Sequence, residues 1–353
     1  MDARAHERGS AEPVRLDVNV PPRWRAPLLV LGFASLAFGI AGGLVRLGAS
    51  IPAPAGAIAL HGPLMVSGFL GTVIALERAV ALGRLWAYAA PLASGLGGVC
   101  LLAGYAAAGF VLMIVAAALL VAASAATFAR QRSLEMATLA GGAIAWLVGN
   151  LFLFGGQPAV PWWIAFFALT IGGERLELSR YLKRSPAVRF AFVAIAALLL
   201  VAPLAPPLMG IALLLLALWL LAFDLARITV RQTGLPRYVA VCLLAGYFWL
   251  AVGGALVALQ VAYDAALHAI FVGFVFSMVF GHAPVILPAV LRVKLPYHPV
   301  FYAPLALLHA SLAIRAFVST SAGAWGNAAA IALFIVTAAA LVFSRASSVG
   351  ARR

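Results

Sequence analysis

The sequence predicts an all-α, polytopic integral membrane protein, and three observations predict it. The chain is 65% hydrophobic and 10% charged, with a mean hydropathy of +1.08, well outside the composition of a soluble domain. Apolar stretches of about 20 residues, long enough to cross a ~30 Å hydrocarbon core, recur from one end to the other. The basic residues collect in alternate loops. Lipid cannot hydrogen-bond free backbone groups, so segments of this length are helices.

Twelve spans follow in order. Residues 1–26 carry Asp2, Glu7, Glu12 and Asp17 among arginines, with no small-residue cleavage site after a short apolar stretch. They are expected as a cytoplasmic tail rather than a signal peptide. Residues 27–344 form one transmembrane domain and 345–353 a second cytoplasmic tail. Span 1 (27–47) ends at Arg46, and span 2 (56–76) contains His61, Met65 and Gly68 and closes before Glu77-Arg78. Spans 3 (86–105) and 4 (107–128) are rich in small residues, Cys100 among them. Span 5 (136–156) carries Asn150, with Gln157 just beyond it, as polar packing candidates. Span 6 (159–178) ends at Glu174-Arg175, and spans 7 (189–205) and 8 (207–226) are separated at Pro203–Pro207, a turn or kink. Span 9 (239–259) holds Cys242, span 10 (264–284) holds His268, Gly273, Met278 and His282, and span 11 (298–319) holds His309 and Arg315. Span 12 (324–344) completes the set. The cysteines sit singly within spans and imply small core residues, neither a disulfide framework nor a CxxC metal site.

The net charge of +14 is topological. Of the 24 Lys and Arg, all but Arg46 and Arg315 fall in the N-terminal tail, the C-terminal tail and the loops or span ends after spans 2, 4, 6, 8 and 10. Examples are Arg84, Arg130, Arg132, Lys183, Arg184, Arg231, Arg237 and Lys294. This positive-inside bias predicts an even number of spans with both termini in the cytoplasm, and some attraction to anionic lipid headgroups. It leaves no nucleic-acid role. No P-loop, nucleophile elbow, HExxH or dinucleotide fingerprint occurs, which sets aside hydrolase and nucleotide-driven chemistry. The few acidic residues, Asp224 and Asp264 included, lie near span ends, too peripheral for a carboxylate-driven mechanism.

The histidines are the candidate site. A titratable ring in hydrocarbon is costly and usually functional, and imidazole suits heme iron or copper. This topology puts His61 about one and a half turns into span 2 from the outer face, and His268 about one turn into span 10 from the same face. His309 falls near mid-membrane on span 11, with Arg315 about 9 Å further outward. The sequence HGPLMVSGFLGTVIALER starts at His61, and HAIFVGFVFSMVFGHAPVILP at His268. Gly68 and Gly273 would admit a planar group or another backbone.

The pattern H-x3-M-x2-GF-x3-VI, running from His61 through Met65, Gly68, Phe69, Val73 and Ile74, and the pattern H-A-x3-G-x4-M, from His268 through Gly273 to Met278, resemble the NnrS family. These are twelve-span heme- and copper-containing membrane proteins of denitrifying bacteria linked to nitric oxide tolerance. The resemblance implies heme b, with copper, in a bacterial or archaeal cytoplasmic membrane. It implies a small diatomic ligand such as nitric oxide, and leaves an electron donor open as a partner. Pro63 stands where that family would have a second histidine, and Gly281-His282-Ala283-Pro284 where it would have a GHTGR-like segment. A looser similarity joins the chain to the catalytic subunit of heme–copper oxidases, where three arcs of four helices place heme ligands on helices 2 and 10. Here Glu77-Arg78 and Glu174-Arg175 end spans 2 and 6, four helices apart. The oxidase's tandem His-His is absent.

Heme requires imidazole ligands and cations near its propionates. His61 and His268 are the expected ligands, of one heme iron or of two adjacent metals, and Arg46 and Arg315 the expected propionate partners. His309 is expected to tune or complete the small-ligand site. His282, fourteen residues after His268, would project within ~40° of it and ~21 Å away along an α-helix, the spacing of two stacked hemes; His298 is read as a surface loop residue and His6 as uninvolved. A metal-free secondary carrier is the alternative, with Gly281–Pro288 as its discontinuous helix.

Overall fold

The computed structural model describes residues 19–180, 182, 184–293 and 295–350; His6, Lys183, Lys294 and most of the expected N-terminal tail lie outside the described residues. Among the described residues the chain is helical throughout, with no strand. The long helices are α1 (Pro22–Arg46), α2 (His61–Leu82), α3 (Leu85–Leu102), α4 (Ala106–Arg130), α5 (Leu134–Phe154) and α6 (Val160–Leu178). They continue as α7 (Pro186–Leu204), α8 (Pro206–Phe223), α9 (Gly234–Ala258), α10 (Tyr263–Leu291), α11 (Pro299–Phe317) and α12 (Thr320–Gly350). Eleven of them are long and apolar enough to cross a membrane. The other, α6, carries Glu174, Arg175 and Glu177 near its end. The protein is a multi-pass, all-α membrane protein.

Local chemistry sets several boundaries. Ser133 caps α5 by accepting from the Met136 amide, with Glu135 in the first turn. Ser185 caps α7 ahead of Pro186. Gly83, at φ 65°, ends α2 in the left-handed conformation that glycine adopts without strain. The Pro203–Pro207 stretch is a turn, with a 3-10 segment at Ala202–Leu204 before α8 begins.

Four expectations are corrected. The first span begins at Pro22, not 27, because Arg25 belongs to the bundle: it is buried and donates to the carbonyls of Val20 and, across the chain, Val290. Val290 lies in the last turn of α10, where carbonyls lack helical partners. Span 2 is broken at Leu60 (φ −116°, ψ 34°), so that Ala55–Ala59 forms a separate short helix and His61 opens α2. Gly281–Pro288 is not discontinuous. Helix runs through Pro284 and Pro288 to Leu291, as a bundle allows when neighbours satisfy the freed groups. Asp224, finally, is not peripheral: it is buried against Arg175, with paired bonds of 2.9 and 3.0 Å. Of the polar packing candidates, Asn150 is buried and hydrogen-bonded to Ser67, Trp163 and the Met113 carbonyl, whereas Gln157 is exposed after α5.

Sequential helices pack as antiparallel neighbours, and every fourth one, α2, α6 and α10, turns inward. Phe69 of α2 stacks on Phe276 of α10 at 6.0 Å. Phe167 of α6 meets Phe271 of α10 edge-on at 5.9 Å. Arg78 of α2 reaches Glu174 of α6 at 4.0 Å, so the two Glu-Arg pairs noted in the sequence meet at one end of this central trio. Close helix contacts elsewhere depend on glycine. A Cβ on Gly210 of α8 would lie 2.1 Å from the Ala258 backbone nitrogen of α9. Gly210→Ala is therefore expected to cost about 1–3 kcal/mol by forcing the two helices apart, read as a lower Tm in detergent. Gly62→Ala, whose nearest neighbour would be a Trp163 ring atom at 3.6 Å, should leave Tm near wild type.

Candidate functional site

Both histidine-bearing central helices leave α geometry next to their histidine. Residues Leu64–Gly71 of α2 and Ala269–Phe276 of α10 are π-helical, eight residues each. His61 lies three residues before the first, and His268 directly precedes the second. Such segments are rare and concentrate at functional sites. The two face each other through the Phe69–Phe276 stack.

Hydrogen bonding fixes the tautomer of each ring. His61 Nδ1 lies 2.6 Å from the Gly39 carbonyl of α1. His268 Nδ1 lies 2.8 Å from the Asp264 carbonyl and 3.3 Å from its carboxylate. A carbonyl only accepts, so Nδ1 carries a proton in both, and the neutral form of each ring keeps its lone pair on Nε2. His61 packs against α1, where a Cβ on Gly43 would touch its ring at 2.9 Å. His61, Arg46, Asp264, His268 and Arg315 lie within electrostatic range at one end of the bundle. The structure thus brings His61 and His268 to the same end, on adjacent central helices.

Arg315 is already engaged. Its guanidinium donates two bonds of 2.9 Å to the Asp264 carboxylate, and its side chain is 9% exposed. Asp264, taken from the sequence as peripheral, therefore holds both Arg315 and His268. Sequence reasoning missed it because it precedes the apolar run and its partner lies 51 residues away. Arg46 is exposed at the end of α1 and makes no hydrogen bond or ion pair with a described residue.

The remaining candidates lie elsewhere. His309 pairs its Nε2 with Ser277 Oγ at 3.4 Å, while Ser277 donates to the Cys242 carbonyl at 2.7 Å. Its Nδ1 is buried without a partner. Ser277 is nine residues beyond His268, roughly 13 Å along a helix, so His309 sits well inward of the two outer rings. His282 donates from Nδ1 to the Met278 carbonyl at 2.8 Å and lies within range of Arg175 and Asp224. The intervening π-segment also breaks the α-helical arithmetic that set His282 beneath His268. His298 is exposed and caps a short 3-10 turn.

Met65 and both glycines serve packing. Met65 Sδ would lie 2.9 Å from a Cβ on Gly39. A Cβ on Gly68 would meet Ser35 Oγ at 2.7 Å, and one on Gly273 would meet the Trp249 side chain at 2.4 Å. These glycines admit neighbouring helices rather than a planar ligand. Among the described residues no group of three or more His, Cys, Asp or Glu is placed to hold a metal ion. The site as built is a pair of imidazoles whose Nε2 atoms make no hydrogen bond with a described residue, one of them braced by a carboxylate–guanidinium pair.

Comparison with known proteins gives a family but no activity. No curated protein and no solved structure matches the chain. A family model does match, over residues 25–343, and the chain belongs to the family it describes, Domain of unknown function (DUF8744).

Proposed function

We propose that this protein is a heme-binding protein of a bacterial or archaeal cytoplasmic membrane that binds or processes a small diatomic such as nitric oxide, with His61 and His268 as the ligands. The observation that carries this reading is the shared tautomer of the two rings: each spends its Nδ1 proton on a backbone carbonyl and keeps Nε2 for a partner. The resemblance of the His61 and His268 segments to the NnrS family supports the same reading. A heme held by His61 and His268 would supply one-electron chemistry and, when one of the two imidazoles gives way, a site for a diatomic.

The chain's own residues would do the rest. Gly39 and Asp264 orient the two rings. Arg46, exposed at the same end, is the cation open to a propionate, since Arg315 is committed to Asp264. The Phe69–Phe276 stack, with Phe167 and Phe271, lies inward of the histidines and keeps water out of the centre. The donor set suits heme better than copper, for which no third donor converges among the described residues. An electron donor would approach from outside the bundle. The basic loops support an orientation with both termini cytoplasmic, placing the two histidines toward the outer face. The carrier alternative loses its hinge, since Gly281–Pro288 is continuous helix.

The test is direct. Protein purified after expression with adequate heme supply is expected to show a Soret band that shifts when carbon monoxide or nitric oxide is added to the reduced form. A colourless preparation that gains no Soret band on titration with hemin removes the proposal.

A further inference from the structure

A cleft lies at the opposite end of the bundle from His61 and His268. It encloses about 370 Å³ and is lined by Thr233, Gly234, Arg237, Val241, Tyr297 and Tyr302. The start of α9 forms one wall, and the loop into α11 and the first turn of α11 form the other.

Its polar side chains are one guanidinium and three hydroxyls, those of Tyr297 and Tyr302 within reach of each other. The Arg237 guanidinium is exposed and makes no hydrogen bond or ion pair with a described residue. No carboxylate side chain occurs between Asp224 and Asp264, nor anywhere after Asp264, and Asp224 is buried on Arg175. These stretches of chain therefore bring no carboxylate to the cleft, and no described residue pairs with Arg237. Tyr297 and Tyr302 add two phenol groups, and their rings are held rather than free. Tyr238, fully buried, packs against Tyr297 at 6.0 Å and edge-on against Tyr302 at 5.2 Å. Thr233 precedes α9 without a side-chain capping bond, so amides of the first turn add to the same electrostatic sign.

A guanidinium with neighbouring hydroxyl groups recognises phosphate oxygens. The cleft lies at the end of α9 and α11 that carries the basic loops, where the polar groups of a bilayer would lie. We propose that it binds the phosphate of an anionic phospholipid headgroup, with Arg237 as the main contact and Tyr297 and Tyr302 as orienting donors. This site is independent of the heme reading.

The experiment uses the full-length protein, purified and delipidated in detergent. Binding is followed by native mass spectrometry and by Tm during titration with phosphatidylglycerol, phosphatidylcholine or inorganic phosphate. Phosphatidylglycerol should bind and raise Tm more than phosphatidylcholine. Arg237→Gln should weaken phosphatidylglycerol binding about tenfold or more, while Arg231→Gln, outside the cleft, should not. If inorganic phosphate alone gives the full Arg237-dependent effect, the anion site stands and its source is a free phosphate. If Arg237→Gln does not fold, the double variant Tyr297→Phe/Tyr302→Phe carries the test, with a smaller loss expected. Equal binding of phosphatidylglycerol by wild type and the folded cleft variants overturns the proposal.

Discussion

His268→Ala is expected to remove the Soret band, and His61→Ala to remove it or convert its spectrum. Each ring supplies one Nε2, and the other histidines described within the bundle lie further along it: His309 sits beside Ser277, nine residues past His268, and His282 fourteen residues past it. Asp264→Asn should be milder and more informative. It keeps the backbone carbonyl that orients His268 but weakens the carboxylate contact at 3.3 Å and the Arg315 pair. Loss of such an outer partner typically weakens a metal site by about 10- to 100-fold. His298→Ala, at an exposed cap, should leave heme content unchanged. The measurement is heme per protein by pyridine hemochromogen assay, with circular dichroism to confirm folding. Wild-type heme content in both the His61 and His268 variants would remove these residues from the site.

Arg175→Leu is expected to produce the largest loss of stability. Arg175 and Asp224 are 5% and 1% exposed and joined by two bonds, and Asp224 also accepts from the Ala226 amide at 2.7 Å. Removing one partner of such a pair strands a buried charge and costs about 3–5 kcal/mol. The double variant Arg175→Leu/Asp224→Leu removes both charges, so it should recover part of the loss despite the stranded Ala226 amide. Unfolding of each variant in detergent, arranged as a double-mutant cycle, measures the coupling. A cycle with no coupling would mean that the pair contributes only packing.

The helical architecture was legible because lipid leaves so little choice: apolar length and the alternation of basic loops determine spans and their order. Boundaries were less legible where a polar residue near a span end has a remote partner. Arg25 reads as tail until Val290 is found 265 residues away, and Asp224 reads as peripheral until Arg175 is found 49 residues away. Of the site, the two histidines and their common end were readable from hydropathy and topology. The π-segments were not, since LMVSGFLG and AIFVGFVF differ in no obvious way from α-helical membrane sequence. The use of Gly68 and Gly273 was ambiguous for a related reason. A glycine marks a close approach, and only the fold says what approaches.

The paired π-segments also act as a phase adjustment in the central trio. A π-turn takes up one residue more than an α-turn, and one residue of α-helix is a 100° step. In α2 the outer half aims His61 at α1, and the inner half aims Arg78 at α6. Drawn out into regular α geometry, the same residues would swing the His61 half by one residue's step, about 100°, relative to the Arg78 half, parting His61 from Gly39 while Arg78 stayed in place. Because α10 makes a matching adjustment at the level of the Phe69–Phe276 stack, the two helices remain meshed across it, like two shafts cut with the same offset key. A single-residue deletion within either segment would instead exchange the π-turn for an α-turn and keep the two ends of that helix in phase.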